Sequence, residues 1–162
     1  NAAIADVLSA RGDATPLSSN EAVLATCASG GTARTRLDLG VLNREDRQLM
    51  TRIAARPGSL DHIRALVAVG LDPDQADEMG LTPLHVAGWE GLPDHVAYLL
   101  TLRPDLAYRN DYGGDALSTV IHGSEFCPRA EIRDHVTCAR LLLEAGARLD
   151  PREVEELSLI HI

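Results

Sequence analysis

Apolar positions along this chain fall in short helical runs separated by glycine. From Gly80 the order G-L-T-P-L-H-V-A-G-W-E-G-L-P-D-H-V-A-Y-L-L-T-L predicts a helix, a tight turn at Gly91 and a second helix. Leu84 and Ala87 stand three apart and share one helical face, where the small Ala87 lets a neighbouring helix approach closely. Thr82 is placed to cap the first helix, its hydroxyl accepting from a free backbone N–H. Pro83 then falls at the first helical position, where its missing N–H costs nothing. Upstream, Asn43 to Arg56 and Leu60 to Val69 predict another helix pair. There Ile53 and Ala54 hold the apolar face, Gly58 the turn, and Gly70 suits the left-handed residue just past a helix end.

The pattern returns at a spacing of 33: Asp61-His62-Ile63 precede Asp94-His95-Val96 by that interval, as Ala54 precedes Ala87 and Gly58 precedes Gly91. Gly113 follows Gly80, and Leu117 follows Leu84, at the same interval. Self-similarity at a fixed period marks stacked units, none of which buries its apolar face alone. With this period, the segment Thr82-Pro83-Leu84-His85-Val86-Ala87 (T-P-L-H-x-A) resembles the ankyrin repeat family. In the preceding unit Leu49 to Arg52, L-M-T-R, departs from that motif. The resemblance implies an all-α solenoid of stacked helix-turn-helix units with short β-turn fingers, and a structural His85 hydrogen-bonded near Thr82. It divides a single domain, 1–162, into degenerate N-terminal units over 1–42, repeats over 43–76, 77–109 and 110–150, and a C-terminal cap over 151–162.

The two ends follow this scheme loosely. Ile4 to Gly12 resembles the second helix of a unit. Glu21 to Ser29 predicts a helix capped by Ser18, Ser19 or Asn20, then Gly30-Gly31 breaks the chain and Thr32 to Leu39 predicts a short second helix. Gly30 and Gly58 stand closer together than one full period, so the finger between them should be shortened. Asn110 to Gly114, N-D-Y-G-G, reads as a β-turn finger tolerant of positive φ, followed by a helix from Asp115 to Gly123 capped by Asp115.

The last unit carries an insertion. Its second helix ends L-L-L-E-A-G at Leu141 to Gly146, and Gly146 follows Arg103 at a spacing of 43, so about ten positions are added. They begin at Ser124, where the turn glycine would stand, and run towards Asp134. A third triplet, Asp134-His135-Val136, sits at a spacing of 40 and disagrees with that frame. The L-L-L-E-A-G ending sets the core face, and the triplet counts as coincidence within an extended helix start. Pro151 opens a final helix, with Leu157, Leu159, Ile160 and Ile162 covering the last core face.

Composition narrows the function. Apolar residues make up 45% and charged residues 24%, as in soluble globular chains, and the 3% aromatic content favours thin layers of Leu, Val, Ile and Ala. A net charge of −9 argues against a nucleic-acid partner, which needs a basic face. No apolar run reaches membrane-spanning length, so no membrane partner is expected. Three cysteines, Cys27, Cys127 and Cys138, form a poor disulfide framework and point to a reducing cytoplasm. All 15 basic residues are Arg, which removes Schiff-base lysine chemistry and the P-loop lysine; this Arg- and Ala-rich usage suggests a high-GC bacterial source.

Candidate chemistry is sparse. His122, Cys127, His135 and Cys138 form H-x4-C-x7-H-x2-C, a Cys2His2 set with His135 and Cys138 one turn apart. The spacing matches no standard finger, and Cys138 falls at a core position, so no metal and no cofactor are expected. Cys27 lacks a histidine near it in sequence to act as its base, the first being His62. Asp61-His62 and Asp94-His95 are adjacent on helices and point about 100° apart, so neither is an acid–base pair. The acidic tail, Asp150, Glu153, Glu155 and Glu156, reads as a solvated face, with attraction to a basic partner as the sharper reading.

In the resembled family the fingers and first helices line a concave protein-binding surface. Carried onto this chain, the finger positions are Glu78, Met79 and Leu81, then Asp111, Tyr112 and Gly114. The positions before each inter-helix turn are Arg56 and Pro57, Trp89 and Glu90, then His122 and Gly123. Trp89, the only tryptophan, is the expected anchor, since Trp, Tyr and Arg dominate binding hot spots. The competing role for Trp89 is packing on Met79 and Tyr112. The resemblance therefore implies a non-catalytic module for a protein partner. A zinc-stabilised or enzymatic domain built on the insertion, and a structural or self-associating unit of a longer protein, are the alternatives.

Overall fold

The computed structural model describes residues 17–149. The expected helix over Ile4 to Gly12, the acidic tail and the cap over 151–162 lie outside the described residues. Within them the chain forms α1 (Ser19–Ala28), α2 (Arg44–Arg47), α3 (Leu49–Ala54), α4 (Leu60–Ala68), α5 (Pro83–Trp89), α6 (Pro93–Thr101), α7 (Ala116–Phe126) and α8 (His135–Glu144). No β-strand occurs among the described residues, and no helix among them is long and apolar enough to cross a membrane.

The helices stand in two rows. The pairs α3–α4, α5–α6 and α7–α8 are hairpins; α3, α5 and α7 pack side by side as one row, while α1 lies on α4 and α6 on α8 in the other. Between α4 and α6, the Arg64 guanidinium lies 5.3 Å over the Tyr98 ring. The core runs between the rows through Met50, Ile63, Leu66, Leu84, Val96, Leu99, Leu117 and Leu142, all essentially closed to solvent. These short helices are held by that shared core, since isolated helices of this length are marginal in water.

Five sequence expectations require correction. The stretch Thr32 to Leu39 is not a helix. Its backbone is used elsewhere: the Leu37 N–H donates to the Val69 carbonyl at 2.9 Å, and the Asn20 amide holds both the N–H and the C=O of Asp38. Tertiary partners therefore take the groups a helix would need, and only a 3-10 turn forms at Leu39–Val41. By the same packing, α1 belongs to the second-helix row. Ser18 is its cap, through a reciprocal pair with Glu21. The helix expected from Asn43 is split at Gln48 into α2 and α3. Thr82 does not cap α5 through a backbone N–H; its hydroxyl lies 2.8 Å from His85 Nδ1 instead.

The fifth correction concerns the insertion. Gly91 turns the chain after α5 with a φ of +60°, a conformation side chains resist. At Ser124 no such turn forms. Its hydroxyl donates to the Ile121 carbonyl at 2.6 Å and α7 runs on to Phe126. It stops where Pro128 forces Cys127 into extended backbone (φ −64°, ψ 128°). A 3-10 turn at Ala130–Ile132 leads to Asp134, which caps α8 by accepting from the Thr137 N–H at 2.9 Å. The L-L-L-E-A-G ending does set the core face: Leu142 is buried four positions before Gly146, as Leu99 is before Arg103. Yet the third triplet is no coincidence. His135 Nε2 lies 2.9 Å from the Trp89 carbonyl. His95 does the same one unit earlier, bonding the backbone of Arg56, which stands one period before Trp89, and Ser59 Oγ at 3.1 Å. Only the histidine keeps its place, since Val136 is 71% exposed where Ile63 and Val96 are buried.

Candidate protein-binding groove

Two fingers form one edge of a groove of about 980 Å³ that runs along α3, α5 and α7. Each finger is closed by its first residue. Asp77 Oδ1 accepts from the N–H groups of Met79 and Leu81, both at 2.9 Å. One period later Asn110 Oδ1 accepts from Tyr112 and Gly114 at 3.0 and 3.2 Å. Such side-chain-closed turns are why Asp and Asn stand there. The Asp111 N–H donates to the Met79 carbonyl at 3.1 Å and locks one finger to the next.

Side chains in the groove form two rows at the same repeat interval. At the finger end the Tyr112 hydroxyl lies 3.2 Å from Met79 Sδ, and Tyr112 is 75% exposed. At the turn end the Trp89 and His122 rings are 5.5 Å apart, and the His122 and Phe126 rings 4.4 Å. Gly123 makes this row possible: a Cβ there would stand 2.5 Å from the Trp89 carbonyl oxygen, so α7 lies directly on the end of α5.

The turn that carries Trp89 is gripped by the insertion at three consecutive residues. His135 holds the Trp89 carbonyl, the Asp134 N–H donates to the Gly91 carbonyl at 3.2 Å, and Glu90 Oε2 pairs with Arg129 at 3.3 Å and Arg133 at 3.6 Å. The Glu90 and Arg133 side chains are only 12% and 9% exposed.

No protein-family model matches the chain. It is similar to protein phosphatase 1 regulatory subunit 27 of Homo sapiens, 43% identical over 60 residues that cover 37% of this chain and 39% of that protein. Ankyrin repeat and SOCS box protein 16 of Mus musculus is 44% identical over 75 residues, 46% of this chain and 16% of the relative. The structure superposes on the human ASB11 ankyrin repeat domain with a TM-score of 0.52 at 21% identity, over 62% of this chain and 42% of that one. The fold is that of an ankyrin-repeat domain. A chain of the complex between the Bd0816 predatory endopeptidase of Bdellovibrio bacteriovorus and the immunity protein Bd3460 also matches, with a TM-score of 0.53 and 28% identity over 62% of this chain and 47% of that one. This chain thus spans 39% and 16% of the lengths of the two curated relatives.

Within the ankyrin fold, Met79, Leu81, Trp89, Tyr112, Gly114 and His122 line the groove. Arg56 and Pro57 lie off it, and Glu78 is engaged at the surface with Arg44 at 3.5 Å. Asp111 is exposed beside the groove, with its amide tied to the neighbouring finger. Glu90 and Gly123 need correction as contact positions: the first is turned inward to two arginines, the second is buried under Trp89. Trp89 packs on His122 with the two rings tilted by 45°, while Met79 and Tyr112 pair with each other.

The Cys2His2 set is not assembled. Among the described residues no three His, Cys, Asp or Glu side chains gather as metal ligands. His122 lies between the Trp89 and Phe126 rings, His135 is on the Trp89 carbonyl, and Cys127 and Cys138 are buried. Burial first, then the Asp134 charge, pushes the Cys138 thiol up to about 12, the opposite of what a thiolate ligand needs. His85 is structural as the resemblance implies, bonded to Thr82 and set edge-on to Tyr108 at 5.8 Å.

Sequence reasoning missed Phe126 and Glu125, both of which line the groove. The signal was present: Phe126 is one helical turn past His122, and the first residue after Gly123 that stops a helix is Pro128.

Proposed function

We propose that this chain is a non-catalytic protein-interaction module that takes a segment of a partner protein along the groove. The observation that carries this reading is the pair of side-chain rows, Met79–Tyr112 and Trp89–His122–Phe126, held at the groove surface on bonded backbone. Large side chains already held in place lose little freedom on binding, which is how such residues come to dominate an interface. The relatives support it: one is named as a regulatory subunit, and one solved neighbour comes from a complex of two proteins. The repeat boundaries 43–76, 77–109 and 110–150 are part of this proposal, with each finger–first-helix junction contributing one contact to each row.

The test is affinity purification with the full chain as bait, followed by measured affinity for the recovered protein. Trp89→Ala and Tyr112→Ala should each weaken that affinity, Trp89→Ala by about thirtyfold, or about 2 kcal/mol, with the helical circular dichroism unchanged. A partner bound equally well by both variants would falsify the groove as the binding surface.

A further inference from the structure

The groove has two chemically different ends. Its finger end presents Met79, Leu81 and Tyr112, with the Asp77 carboxylate tied to the backbone N–H groups of Met79 and Leu81. Its turn end presents the mutually tilted rings of Trp89, His122 and Phe126, with Phe126 59% exposed, and beside them the exposed Glu125. Other charges of the groove are engaged. Both finger-end bonds of Asp77 go to backbone N–H groups, and the Arg52 guanidinium donates to the Glu45 carbonyl. Glu90 is neutralised by Arg129 and Arg133. Glu125 has no hydrogen bond or ion pair among the described residues, so its exposed carboxylate is open to a counter-ion at the turn end.

A negative charge next to exposed aromatic faces is the arrangement that recognises a cation, because the ring quadrupole and the carboxylate attract the same group. We infer, resting on the groove reading above, that the turn end takes an arginine or lysine side chain of the partner protein. That cation lies over the His122–Phe126 faces with Glu125 as its counter-ion, and an aliphatic side chain of the same segment lies on Met79 and Tyr112. The net charge of −9 acts in the same direction by steering a basic segment towards the chain. Helix α5 separates the two rows. Its rise of about 9 Å corresponds to roughly three residues of extended chain, which sets the spacing between cation and apolar side chain.

Random dodecapeptides displayed on phage, selected on the full chain, test this directly. Selected peptides are synthesised and their affinities measured by fluorescence anisotropy. The expected peptides carry Arg or Lys three or four positions from an aliphatic side chain. Replacing Arg by citrulline weakens them about tenfold, and Phe126→Ala does the same. Glu125→Gln weakens the arginine peptides about threefold and leaves the citrulline peptides unchanged. Peptides that depend on Trp89 and Tyr112 but show no preference for a cation overturn this inference and leave the groove reading standing. Peptides indifferent to Trp89→Ala and Tyr112→Ala, or a selection that yields none, overturn both.

Discussion

The central hairpin, α5 and α6, and the last one, α7 and α8, begin alike and part company at one residue. Both start from a side-chain-closed finger and lay an apolar helix face on the same core. After Trp89 and Glu90 the chain turns at Gly91, a residue with no Cβ to resist a φ of +60°. At the matching place stands Ser124, and the first helix runs on to Phe126. That continuation adds a ring to the groove, and residues 127–133 then bring the chain back to the turn it would otherwise have copied. The difference teaches that an insertion in a stacked array needs no new core. It needs only to restore the contact the next helix makes with the unit before it, and His135 does so from a shifted position.

The sharpest way to break the comparison is to remove the grip that only the last hairpin has. Glu90→Ala leaves the nearly buried Arg133 without its counter-charge, and should cost about 3 kcal/mol in urea unfolding. Glu78→Ala, which loses an ion pair whose side chains are 66% and 70% exposed, should cost under about 1 kcal/mol. Equal losses at the two glutamates would show that the insertion is not docked on the Glu90 turn. Next in size is Gly123→Ala. Its Cβ meets the backbone of Trp89 rather than a flexible side chain, so α7 must lift, at about 2 kcal/mol. Differential scanning calorimetry should record a lower Tm, and Trp89 fluorescence should shift as its ring leaves His122.

The central hairpin has its own point of failure. Burial holds the His95 imidazole below its ordinary 6.5, and His85 likewise. The unfolded chain therefore binds protons that the folded one refuses as pH falls below 6.5, and stability is lost from there downward. The urea midpoint should be level at neutral pH and fall towards pH about 5.5, with a shallower fall in His95→Gln. A midpoint independent of pH would show that both rings take up protons in the fold as readily as in the unfolded chain. The smallest effect belongs to Ser124→Gly, which restores the residue found at Gly91. Its cost of about 0.5 kcal/mol, the helix-propensity difference alone, would show that the insertion and not the serine now holds α7 straight.

Legibility in the sequence follows the range of the interaction concerned. The turn at Gly91, the proline-started α5 and α6, and the fingers at Asp77 and Asn110 are local: each depends on residues within about four positions, and such rules repeat with the period. Thr32 to Leu39 escapes a local reading because its helical pattern competes with bonds to Asn20 and to Val69, the latter in the next helical unit. The zinc set failed for a similar reason: spacing along the chain brought four candidate ligands near one another, and packing then gave each ring and thiol a different neighbour.

By itself the sequence determined the all-helical repeat, its period, the core face of each hairpin and four finger residues of the groove, Met79, Leu81, Tyr112 and Gly114. Those features rest on backbone preferences and apolar spacing, which a chain carries before it folds. Only the tertiary structure decided that Glu90 turns inward, that Phe126 joins Trp89 and His122 in one row, and that Glu125 is exposed beside them. Each of these depends on which side chains meet across units. That is set by how closely α7 can approach α5, and a single missing Cβ at Gly123 governs the distance.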